Sequence, residues 1–213
     1  MMEKVLKGLV KFQRDVFSKK KKLFSSLSQQ QTPSVLFVTC SDSRIDPSLL
    51  TQTDPGDIFI IRNAGNLIPT YGAAIGGSTA TIEYGVSVLK VKDIIICGHT
   101  DCGAMKGLLH PEKLQDLPAV KAWLQHAETT VRIVKDHCAH LKGEALFAAT
   151  IRENVLVQMD HLRTHPAVAT RLRWGDLRLH GWVYSIGTGE VWVYDEQKKD
   201  FVNLLQKKSK ERP

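Results

Sequence analysis

The chain has 213 residues, 43% of them hydrophobic and 24% charged, proportions that suit one folded domain with a sizeable core and exclude a disordered or low-complexity protein. Its net charge of +7 is loaded at Lys19 to Lys22 and at Lys198, Lys199, Lys207, Lys208, Lys210 and Arg212, a pattern of solvated ends and not of a nucleic-acid reading surface. No apolar run approaches the roughly 18 residues of a membrane span, and four cysteines without an apolar leader point to a reducing, cytoplasmic setting in which thiols serve as ligands or core.

Residues 3–28 repeat apolar side chains at near-helical spacing and predict two amphipathic helices, interrupted around the lysine run. Their stripe, including Leu6, Leu9, Val10, Val16 and Phe17, precedes the first strand and must cover a sheet or a partner. A polar connector ends at Pro33, and residues 35–39 read as a fully buried strand. Residues 47–50 predict one helical turn, 54–57 a tight turn, and 58–61 a second buried strand. The Gly/Ala-rich stretch 72–78 lacks the Lys-Ser/Thr of a phosphate-binding loop, so its glycines point to close backbone packing before a helix over 79–89.

A third strand is predicted over 91–97, then helices over 119–141, 146–162 and 167–174, then a hairpin from 177–186 and 191–194. Alternation of strand and helix predicts an α/β fold, with a mostly parallel central sheet and helices on both faces. We read residues 1–213 as one domain, with 1–28 as N-terminal dimerisation helices that pack on a partner subunit and 206–213 as a basic tail.

Two short segments carry the chemistry, and each follows an apolar run. Cys40-Ser41-Asp42-Ser43-Arg44 follows the first strand, and His99-Thr100-Asp101-Cys102 the third. In such sheets ligands gather at the carboxyl ends of the strands, which brings Cys40, His99 and Cys102 into one set. Two thiolates and an imidazole suit Zn²⁺, and three protein ligands with a fourth position left for water is the catalytic pattern. Cys97 and Cys138 are rival ligands, more simply read as core or half-buried residues. On a plain surface Asp42 and Arg44 would be an ion pair worth at most about 1 kcal/mol, but their place beside a ligand argues for a larger role.

These blocks, with Arg62-Asn63-Ala64-Gly65-Asn66 and with Gly98 and Gly103 bracketing the second ligand pair, resemble the signatures of the β-class carbonic anhydrases. The likeness runs from about Phe24 to the final hairpin and is closest to the plant-like branch, particularly the carboxysomal enzymes of cyanobacteria. It implies reversible hydration of CO2 to bicarbonate on one Zn²⁺ per chain, held by Cys40, His99 and Cys102 with water or hydroxide as fourth ligand. It further implies that Asp42 accepts a hydrogen bond from that hydroxide while Arg44 holds Asp42 ionised, and that Asp42 is itself the fourth ligand in an inactive state of some relatives. Gln31 and the backbone N–H of Gly103 would orient the substrate, and Phe59, Ala64 and Tyr84 would line its apolar pocket.

The likeness also implies a homodimer or dimer-based higher oligomer, with the pocket completed across the subunit contact. It implies supply of CO2 for carbon fixation inside a carboxysome, and docking to a carboxysome scaffold protein. No nucleic-acid or membrane partner is expected. Arg62 and Tyr184 match an inhibitory bicarbonate site found in one branch, but Phe37 stands where that site has a tryptophan, so strong bicarbonate inhibition is not expected. Two other readings use the same residues: hydrolysis of carbon disulfide or carbonyl sulfide, and a non-catalytic, zinc-stabilised interaction protein.

Overall fold

The computed structural model describes residues 1–74 and 76–206. The chain divides into two compact units, Met1–Thr32 and Pro33–Pro213; most of the basic tail expected over 206–213 lies outside the described residues.

In the first unit, α1 (Met2–Lys11) runs into a wider helical turn over Phe12–Phe17, and α2 (Lys21–Leu27) follows the lysine run. Phe12, Phe17 and Phe24 form a small aromatic cluster, with ring centroids 5.1 to 6.3 Å apart, that ties these helical pieces together. The predicted stripe is present on this unit, with Leu6 54%, Leu9 56% and Val10 59% exposed.

The second unit is built on a six-stranded sheet of order β2-β1-β3-β4-β5-β6. β1 (Val35–Cys40), β2 (Ile58–Asn63), β3 (Asp93–His99) and β4 (Arg178–Tyr184) are parallel, while β5 (Val191–Asp195) and β6 (Asp200–Asn203) add antiparallel pairs. The α/β expectation with its C-terminal hairpin is met, and β6 extends that hairpin by a strand that the sequence did not signal. Residues 58–61 depart from expectation: Ile60 is 37% exposed, because β2 is the edge strand and has a neighbour on one side only. The third strand ends two residues later than expected, so that His99 is its last residue.

Leu36, Val38, Ile94 and Ile96 look into the main core, which they share with Ile151, Val155, Met159 and Leu162 of α8 (Gly143–Arg163). Burial of each such aliphatic side chain contributes about 1.5–3 kcal/mol. Phe37, Ile95 and Cys97 form a smaller cluster with Leu50 of α3 (Pro47–Thr51) and Trp182. Helix α8 lies against β3 and β4, and it can do so because Gly98 and Gly181 have no side chain: a Cβ at Gly98 would stand 2.8 Å from Val155 Cγ2, and one at Gly181 2.9 Å from Val155 Cγ1.

The remaining helices are α4 (Gly77–Glu83), which continues as a wider turn to Val88, α5 (Gly103–Leu109), α6 (Pro118–Leu124), α7 (Glu128–His137) and α9 (Pro166–Arg173). The helix expected over 119–141 is thus two helices, joined by a tighter turn at Gln125–Ala127. Strand order places β1 and β3 side by side, with β1 continuing to β2 on one flank and β3 to β4 on the other. The connections diverge there and leave a crevice beyond the carboxyl ends of β1 and β3.

Candidate metal centre and active site

Cys40 is the last residue of β1 and His99 the last of β3, so the crevice receives one donor from each strand. Cys102 arrives from the turn that follows, immediately before α5. Asp101 takes a left-handed conformation, with φ +59°, to make that turn. Thr100 is held to the end of β4 by its N–H on the Tyr184 carbonyl, 2.9 Å, and by its hydroxyl oxygen, which accepts the Ile186 N–H at 3.0 Å. The three donor atoms lie within 4.8 Å of one another, and all three residues are buried.

The donor chemistry fits a metal ion. His99 Nδ1 is 2.8 Å from the Thr100 carbonyl oxygen, a contact that requires Nδ1 to carry the proton and leaves the Nε2 lone pair free. That Nε2 is buried without a hydrogen-bond partner, one of two such atoms among the described residues, the other being Asn66 Nδ2. An orphaned buried acceptor beside two thiols is costly unless an ion engages it. Cys40 is drawn down by its hydrogen bond with Cys102, against burial, and further by the N–H groups of Gly65 and Asp42. Cys102 is pushed up, because the thiolate of Cys40 is its neighbour and the site is dry. The two thiols thus oppose each other's ionisation, and a dication bound between them would favour both thiolates.

Asp42 and Arg44 stand beside this set. Arg44 Nε and Nη2 donate to the two oxygens of Asp42 at 2.9 and 2.8 Å, and its backbone N–H adds a third bond at 3.0 Å. Those bonds hold the Asp42 carboxyl well below the usual carboxylate range. The other arm of Arg44 reaches Asp101, with Nη1 on Oδ2 at 2.7 Å and Nη2 on the carbonyl at 3.0 Å. Asp101 also pairs with Lys106, and these two cations hold its carboxyl at about 2. From β2, Arg62 donates to the carbonyls of Cys40 at 3.1 Å and Asp42 at 2.8 Å. One guanidinium thus ties the two donor-bearing loops together, while a second fixes the path of the first loop.

Among the described residues, the donor cluster contains only Cys40, His99 and Cys102. Cys97 lies inside the sheet opposite Trp182, and burial pushes its thiol up to about 12. Cys138 sits half-buried just past α7. Phe59 and Tyr84 come together, with ring centroids 6.0 Å apart. Ala64 is in the turn after β2, and Gly103 opens α5. Gln31 is exposed at the end of the first unit. Sequence reasoning missed the link from Arg44 to Asp101, although Asp101 lies between two of the donors, and the hydrogen bond from Trp123 Nε1 to the Ala64 carbonyl at 2.8 Å, for which a separation of 59 residues left no local signal.

A family model described as carbonic anhydrase matches residues 35–191. The chain is 52% identical over 202 residues to a carbonic anhydrase of Synechocystis, an alignment covering 94% of this chain and 74% of that one. Among solved structures, the β-carbonic anhydrase CcaA is matched with a TM-score of 0.93 at 51% identity, covering 95% of this chain and 98% of that one. One of two tetrameric β-carbonic anhydrases of the ascomycete Sordaria macrospora is matched with a TM-score of 0.80 at 26% identity, covering 90% and 95%. With the sheet, the crevice and its donor set already in place, these matches establish that the chain belongs to the β-class carbonic anhydrases.

Proposed function

We propose that the chain hydrates CO2 reversibly to bicarbonate on a single Zn²⁺ held by Cys40 Sγ, His99 Nε2 and Cys102 Sγ. The observation that carries the reading is the buried meeting of these three donors, with His99 Nε2 unpartnered, beside a carboxylate fixed by Arg44. Zn²⁺ in such a set supplies the Lewis acidity that lowers the pKa of water from about 15.7 toward 7. Asp42, kept ionised by Arg44, can act only as an acceptor; it would receive the O–H of the nucleophile and so aim an oxygen lone pair at the substrate. Attack of hydroxide oxygen on the carbon of CO2 would move one C=O electron pair onto oxygen and give bicarbonate, with the proton released from water passing to solvent.

The remaining roles carry over from the family resemblance. Phe59, Ala64 and Tyr84 would form the apolar wall that receives CO2, and the pairing of Phe59 with Tyr84 supports that role. Gln31 and the N–H of Gly103 would bind the substrate oxygens. The uncovered stripe on α1 and its extension supports packing against a second copy, because large exposed apolar patches mark association sites. A dimer is the smallest such unit, and the tetrameric relative fits a dimer-based higher assembly. Likeness to a cyanobacterial carbonic anhydrase supports a place in CO2 supply for carbon fixation within a carboxysome, whose scaffold protein is a candidate partner. No helix among the described residues is long and apolar enough to cross a membrane.

Stopped-flow CO2 hydration, run with metal analysis on the same sample, tests the reading. We expect about one zinc per chain and hydration that is lost with Cys40→Ser. Turnover of carbon disulfide without CO2 hydration would overturn the substrate, and a protein that retains no zinc would overturn the site.

A further inference from the structure

The Ala64–Gly65 peptide group is hydrogen-bonded at both ends. Its N–H, on Gly65, donates to Cys40 Sγ at 3.3 Å, and its carbonyl, on Ala64, accepts the indole N–H of Trp123 at 2.8 Å. Trp123 comes from α6, remote in sequence from every ligand, and its ring packs edge-on against His126 with centroids 5.3 Å apart. The turn between them has little freedom. Gly65 has φ +80°, and a Cβ there would meet Ala104 Cβ at 2.9 Å and Met105 Cε at 3.2 Å, so only glycine can present its N–H to the thiolate.

The next carbonyl is also secured. Gly65 O accepts Asn154 Nδ2 at 3.1 Å, and Asn154 Oδ1 accepts Gln158 Nε2 at 3.1 Å, while Gln158 Oε1 accepts the Ile68 N–H at 2.7 Å. Asn154 is 1% exposed and Gln158 fully buried, so α8 holds this turn with a satisfied polar network in the dry core.

We propose that Trp123 is a positioning residue for the metal centre: through the Ala64–Gly65 peptide it directs and polarises the N–H bonded to Cys40 Sγ, and so sets how much charge that thiolate gives to the ion. The proposal rests on Cys40 being a metal ligand. A donor on the carbonyl end of an amide strengthens its N–H as a donor, by about 10–30% per bond in condensed-phase estimates. A stronger N–H···S bond withdraws electron density from sulfur and keeps the metal more acidic. Helix α6 therefore takes part in tuning an ion that none of its side chains touches.

The probe is Co²⁺ in place of the native ion, read by its sulfur-to-cobalt charge-transfer absorption. Replacing Trp123 by β-(3-benzothienyl)alanine keeps the bicyclic shape and removes the N–H. We expect the band to move to lower energy, because a less hydrogen-bonded thiolate is more readily oxidised by the metal, with the melting temperature preserved. His126→Ala alters the packing of the indole without touching its hydrogen bond, and should leave the band in place. An unmoved band in the benzothienyl variant, or an equal shift in His126→Ala, overturns the role given to Trp123 while leaving the metal site standing. A native sequence that takes up Co²⁺ with no sulfur-to-cobalt band overturns the ligand assignment, and this proposal with it.

Discussion

Gly98→Ala should damage the protein through one identifiable contact. The added methyl carbon would lie 2.8 Å from Val155 Cγ2 and 3.4 Å from Ile151 Cγ2, against an optimal carbon–carbon separation of about 3.5–4.0 Å. Neither side yields readily, since β3 is bonded to β1 and β4 along its length and Val155 is fully buried in α8. Overpacking of this kind costs about 1–3 kcal/mol. For a domain of this size a cost near 2 kcal/mol lowers the melting temperature by roughly 4–8 °C. Because Gly98 precedes the proposed ligand His99, release of metal to a chelator should also speed up. Val155→Ala alone removes two buried methyl groups, at about 0.8 kcal/mol each plus a cavity term, or roughly 2 kcal/mol in all. The methyl introduced by Gly98→Ala would enter the space so created, so the double variant should be about 1–2 kcal/mol more stable than the sum of the two single changes. Urea unfolding at one fixed protein concentration, which the proposed association makes necessary, reads this directly. Costs that add to within about 0.5 kcal/mol would show that the clash is not the cause.

Asp42→Ala and Arg44→Ala should each lower CO2 hydration by roughly 100-fold, the scale of losing one preorganised hydrogen-bonding group, while zinc stays at one per chain; loss of zinc in Asp42→Ala would make that carboxylate a metal ligand instead. Arg44→Ala should do further harm by freeing Asp101, so Arg44→Lys, which keeps the charge and loses the fork, should restore little activity. Asp93, between Arg178 at 2.8 Å and His180 at 2.7 Å, has its pKa lowered because these partners together outweigh the opposing effect of burial. A depressed carboxylate adds stability above its unfolded value of about 3.9 and loses it as pH falls through the folded value, so the deficit of Asp93→Asn should be full at pH 7 and shrink in acid; a deficit independent of pH would remove the linkage. Deleting residues 1–28 should reduce both oligomer size by light scattering and hydration rate, and a fully active monomer would refute a shared pocket.

The apolar, β-branched runs that became β1 and β3 were legible because a strand buried on both faces leaves a continuous local pattern. The donor set was legible too, since only a few residue types bind zinc and Cys40, His99 and Cys102 follow those runs directly. The family likeness added roles for Asp42 and Arg44 that spacing could not supply. Sequence overstated the burial of residues 58–61, because an apolar run looks the same in an edge strand as in a central one, and the number of flanking strands is a property of the assembled sheet. It already favoured Cys102 over Cys97 as a ligand, and the fold sets Cys97 opposite Trp182 within the sheet and Cys102 in the buried cluster with Cys40 and His99. Strand order, with β1 beside β3 and β2 outside, is what brings Cys40 to His99. The grip of Arg44 on Asp101 and the bond from Trp123 to Ala64 join residues 57 and 59 positions apart. Such contacts have no period and no local signal, because they depend on where whole elements come to rest once the apolar faces are buried.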